Sequence, residues 1–69
     1  MNHDAKMLAI EIQGDFHWSA LKDIFKIKDH FKRSTLVHQI MKYLPDNKQS
    51  KFLNMLDKYA EIHGIKEPY

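Results

Sequence analysis

The chain predicts an all-α fold, a compact bundle of three to four short helices. Apolar residues recur at three- and four-residue spacing through most of the sequence, the interval that places them on one helix face. The two glycines and two prolines fall between those periodic stretches, where helices stop and turns begin. One segment near the N-terminus has strand character, and no second run of that kind exists to pair with it. With 69 residues the chain reads as one small helical domain spanning residues 1–69. A domain of that size buries only about 60% of the surface its unfolded form exposes.

The segment from Asp4 to Gln13 carries both patterns. Leu8, Ile10 and Ile12 alternate with Ala9, Glu11 and Gln13 as in a strand. Ala5 to Ala9 are good helix formers, with Asn2 or Asp4 as cap and Gly14 as stop. Helix is favoured, and an N-terminal strand is the alternative. A second helix is expected from about His17 to Lys32 on Trp18, Leu21, Ile24, Phe25, Ile27 and Phe31, with Asp15 or Ser19 as its N-cap. A break around His30 to Arg33 follows, and Ser34 then caps a third helix carrying Leu36, Val37, Ile40, Met41 and Leu44. Pro45 ends it, because the residue before a proline is biased away from the helical region.

Asp46 and Gln49 form a capping-box variant that opens a fourth helix on Phe52, Leu53, Leu56, Tyr59, Ala60 and Ile62. It runs to about His63, where Gly64 followed by Ile65 fits a Schellman ending. The expected core joins these stripes: Trp18, Leu21, Ile24, Phe25 and Phe31, then Leu36, Val37, Ile40 and Leu44, then Phe52, Leu56 and Tyr59.

Composition removes several functions. There is no cysteine, so disulfides, thiolate metal sites and cysteine nucleophiles are excluded. The apolar runs are far shorter than the roughly 20 residues a membrane helix needs, and Met1-Asn2-His3-Asp4 lacks the basic and apolar segments of a signal peptide. A soluble, cytoplasmic protein with no membrane partner is expected. Two glycines cannot build a phosphate-cradling loop, and the serines have no glycine-framed nucleophile elbow. His3, His17, His30, His38 and His63 never occur at the spacing that places two ligands on one helix face. The chain is therefore expected to be no enzyme, with no cofactor and no metal.

The formal net charge is +2, and Arg33 is the one arginine among eleven cations. From Lys22 to Lys42, six cations face two anions, a local excess of +4. Within that stretch Lys32-Arg33-Ser34-Thr35-Leu36-Val37 resembles the turn into the second helix of small DNA-binding modules, of the helix-turn-helix and ribbon-helix-helix kinds. A helix N-terminus beside cationic side chains is a natural phosphate anchor. The resemblance implies phosphate contacts from Lys32, Arg33 and Ser34. It places Thr35, His38, Gln39 and Lys42, a polar stripe at helical spacing, toward base edges. The chain departs from the pattern in having no glycine in the connection. The ribbon version would also need residues 6–13 as a strand shared with a second chain.

The seven residues Ser50-Lys51-Phe52-Leu53-Asn54-Met55-Leu56 resemble the serine-x-x-leucine-aspartate signature of small two-helix phosphatases that dephosphorylate aspartyl-phosphate regulators. Asn54 stands where that family has its functional aspartate, and an amide cannot do the same work, so no activity carries over.

The leading expectation is a small regulatory protein acting through a helical protein–protein surface, of the inhibitor, antirepressor or adaptor type. Eight aromatics and four methionines in so short a chain leave apolar surface for a partner protein or a homodimer. Phe16, Trp18, Met41 and Met55 are its expected contacts. The alternative is a transcriptional regulator that reads double-stranded DNA through residues 32–42.

Overall fold

The stop signals divide the protein into four helices in its computed structural model, which describes residues 5–69. They are α1 (Ala5–Gln13), α2 (His17–Phe25), α3 (His30–Lys42) and α4 (Asp46–His63). Among the described residues there is no strand, and the chain is all-α as expected.

The ambiguity of the first segment resolves through its burial. Ala5, Leu8, Ala9 and Ile12 are buried while Met7 and Ile10 are exposed, a helical stripe that cuts across the apparent alternation. The N-terminal strand is thus excluded. Asn2 and Asp4, the expected caps, and His3 lie outside the described residues. The Gly14 amide closes α1 by donating to the carbonyls of Ile10 and Glu11.

After the turn at residues 14–16, α2 begins with Phe16 at its N-cap and no side-chain cap bond. Asp15 lies one residue too early and Ser19 lies inside the helix, so neither serves as expected. The helix also stops at Phe25, well short of Lys32. The cause is Asp29. Its backbone is extended (φ −73°, ψ 121°), and its Oδ1 accepts from the amides of Phe31 (2.9 Å) and Lys32 (3.3 Å). This is a full N-cap, and it starts α3 at His30. Ser34 is therefore an interior residue of α3, and Phe31 leaves the core for solvent, 81% exposed.

α3 ends at Tyr43, and Pro45 stands at the N-cap of α4 with no side-chain cap bond. The expected capping box does not form. Gln49 turns backward instead, its Nε2 donating to the carbonyls of Met41 (3.1 Å) and Leu44 (3.4 Å) at the end of α3, the first of which also accepts from the Leu44 amide at 3.2 Å. At the other end of α4 the Schellman ending is present. Gly64 takes φ 68°, and the Ile65 amide donates to the Ala60 carbonyl at 2.8 Å. The following residues then fold back to the start of α3, where Arg33 and His30 hold them.

One cluster of buried side chains joins all four helices. Leu21, Ile24, Phe52 and Leu56 are fully buried, each contributing about 2 kcal/mol by removal from water. The backbones of α1, α2 and α3 approach one another closely, whereas α4 stands further off. Small buried residues, Ala5, Ala9 and Ala20, suit the close contacts. α4 reaches the core through Phe52 and Leu56, with the small Ala60 buried toward its C-terminal end. Trp18, expected in the core, is 49% exposed. It stands at the edge of the gap that this spacing leaves.

Candidate functional site

Two surfaces gather the residues singled out by the sequence. The first is the outer face of α3. Lys32, Thr35, His38, Gln39 and Lys42 are all exposed there, spaced to form one stripe. Part of the stripe is engaged with its own helix. Thr35 Oγ1 donates to the Phe31 carbonyl at 2.9 Å, and His38 Nδ1 donates to the Ser34 carbonyl at 2.7 Å.

The phosphate anchor expected beside this stripe is absent in that form. Arg33 is 6% exposed. Its Nε donates to the Pro68 carbonyl at 3.0 Å, its Nη1 to the Ile27 carbonyl at 2.8 Å and its Nη2 to the Glu67 carbonyl. The guanidinium is consumed in holding the chain together, so Arg33 does not face a ligand. Ser34 is half-buried inside the helix, away from the free amides of a helix start. Those amides lie at residues 31 and 32, and the Asp29 carboxylate already occupies them. An anion there would meet like charge.

The second surface is an open groove where α4 stands away from α1 and α2. It has a volume of about 340 Å³. Ile12, Leu21 and Phe52 form its apolar floor, and Trp18, Met55 and His17 stand along it. Lys48, Lys51 and Lys58 rim it, and no carboxylate lines it among the described residues. None of these three lysines is held in an ion pair among the described residues.

Trp18 is also the near end of an aromatic ladder. Its ring centroid lies 6.3 Å from that of Tyr59, which stacks on Phe25 at 4.7 Å with planes 9° apart. His63 lies 4.2 Å from Tyr59 on the same helix. The indole thus lies between the rings of Tyr59 and His17, the latter at 5.6 Å, and remains half-exposed.

Of the expected partner contacts, the fold brings Trp18 and Met55 together in this groove. Phe16 is 68% exposed in the turn before α2 and is not among the lining residues. Met41 packs half-buried against the core from α3. The lysine rim was not anticipated, although its signal is in the sequence. Lys48, Lys51, Met55 and Lys58 recur at intervals of three and four residues, which places them on one face of α4.

Among the described residues no group of three or more histidine or acidic side chains is placed to hold a metal ion, and no helix is long and apolar enough to cross a membrane. No family model, curated protein or solved structure matches the chain.

Proposed function

We propose that this protein is a small non-enzymatic regulator that binds another protein, in the manner of an inhibitor, antirepressor or adaptor, through the groove between α4 and the α1–α2 pair. The observation that carries the reading is Trp18. A half-exposed indole, backed by Tyr59 and set beside Met55 over an apolar floor, has the character of an interface anchor. A chain this short has no apolar surface to spare from its core, and an open apolar groove is the kind of feature that marks a recognition site.

The DNA-binding alternative rests on the exposed stripe from Lys32 to Lys42. Against it stand the burial of Arg33 and the carboxylate of Asp29 at the helix start, which together remove the phosphate anchor that would set such a helix in a groove.

The test places a photo-crosslinking amino acid at position 51, on the groove rim, or at position 39, on the outer face of α3. Each variant is irradiated in extract of the source cells. In parallel, random-sequence duplex DNA is titrated at about 50 and 200 mM salt and followed by light scattering. Protein adducts from position 51 alone, with no DNA complex at either salt, are expected. A DNA complex that dissolves with salt and is lost on combining Lys32→Ala with Lys42→Ala would overturn the reading in favour of α3.

A further inference from the structure

We infer that the groove receives an acidic amphipathic helix of the partner, with an apolar side chain seated against Trp18 and Met55 and carboxylates over Lys48, Lys51 and Lys58. The inference rests on the groove being the binding surface. Three features of the site select this occupant.

Charge comes first. Among the described residues three lysines rim the groove, no carboxylate lines it and none of the three lysines is already paired. A partner carrying negative charge gains from all of them, and a basic one meets repulsion. Spacing comes second. From Lys48 to Lys58 along α4 is about 15 Å, roughly three helical turns. A helix laid alongside repeats its own side chains at the same interval, so carboxylates three, seven and ten residues apart can meet the lysines in register.

Shape comes third. The groove is open along α4 and holds about 340 Å³ above a floor of Ile12, Leu21 and Phe52, near the lower bound of small-molecule sites. That suits one or two anchor side chains of a helix-in-groove complex better than an enclosed cofactor. A single-stranded nucleic acid would bring negative charge as well. It gains most from successive stacking faces and from arginine, and the groove offers one half-exposed indole with the half-buried His17 ring beside it, and no arginine among its lining residues.

Trp18 is the protein's sole tryptophan, so its emission reports directly on the groove. Two helical peptides of about 18 residues, long enough to hold helix in isolation, share one apolar stripe. One has glutamates at its polar positions and the other has lysines. Each is titrated into the full chain by tryptophan emission and by anisotropy of the labelled peptide, with oligo-dT as a third probe.

The acidic peptide is expected to shift the emission and to bind at least ~10-fold more tightly than the basic one, with affinity falling as salt rises. The surface variant Lys48→Glu/Lys51→Glu/Lys58→Glu, checked for unchanged helical circular dichroism, is expected to invert that preference. Equal binding of both peptides, lost in Trp18→Ala by anisotropy, would keep the groove as the binding surface and overturn the acidic partner. If neither peptide binds while position 51 still yields protein adducts, the helix-in-groove mode is overturned and the proposed function stands. Oligo-dT shifting the emission in place of the peptides would overturn both.

Discussion

Arg33 is the residue on which the sequence and the fold part most clearly. By type and neighbourhood it belongs to a phosphate-binding cluster, yet all three of its nitrogen positions donate to main-chain carbonyls, and its guanidinium carbon lies 5.2 Å from the centroid of the Phe25 ring. A buried cation without a carboxylate partner is stable only where dipoles surround it, and the carbonyls of Ile27, Glu67 and Pro68 supply them. The planar fork is what permits this, since one side chain spans three acceptors in different directions. Arg33→Ala is therefore expected to cost about 2–4 kcal/mol, a large share of the roughly 3–10 kcal/mol available to a chain of this length. Arg33→Lys keeps the charge and loses the fork, and an intermediate loss is expected. Urea unfolding followed by circular dichroism measures both, and an Arg33→Ala midpoint equal to that of the unmodified chain would show that the clasp contributes nothing. His30 adds to the same clasp, its Nε2 donating to the Tyr69 carbonyl at 2.8 Å with the Glu67 carboxylate 3.4 Å away.

At the scale of the helix, the start of α3 is decided by which of two acceptable caps the fold uses. Asp29 and Ser34 are both good N-cap types, and only Asp29 has the extended backbone and the two accepted amide bonds. Asp29→Ala is expected to lose about 1 kcal/mol, a melting shift of about 4–8 °C for a domain this small. Ser34→Ala, inside the helix, is expected to fall within about 0.5 kcal/mol of the parent. Thermal scans that reversed this order would relocate the helix start. The periodic stripes of α2, α3 and α4 were legible because periodicity is a local property of the chain. The α2–α3 boundary was not, because the apolar spacing runs on through Ile27 and Phe31 and both Asp29 and Ser34 are acceptable caps by type. Gln49 repeats the lesson. Its position suggested a cap for its own helix, and it serves the preceding one.

For the molecule as a whole, the radius of gyration of 10.8 Å matches the ~11 Å expected of a folded chain of this length. The groove beneath Lys48, Lys51 and Lys58 is thus a local feature of a normally packed bundle. It was only half legible in the sequence. Met55 is expected as a partner contact, and Trp18 both as a core residue and as a partner contact. The lysines that complete the site lie outside the cationic stretch of residues 22–42, and the groove joins residues 12–21 to residues 48–58. The Arg33 clasp has a further consequence, which belongs to time. Its bonds to Glu67 and Pro68 join residues 34 and 35 positions apart, and contacts of that span close only after the local helices have formed. An interaction made after the transition state leaves the folding rate alone and sets the unfolding rate. In stopped-flow measurements Arg33→Lys is expected to raise the unfolding limb while the folding limb overlays that of the parent. A slowed folding limb would place the clasp in the nucleus instead. A clasp that closes after the transition state slows opening, and so limits how often a protease reaches the opened chain.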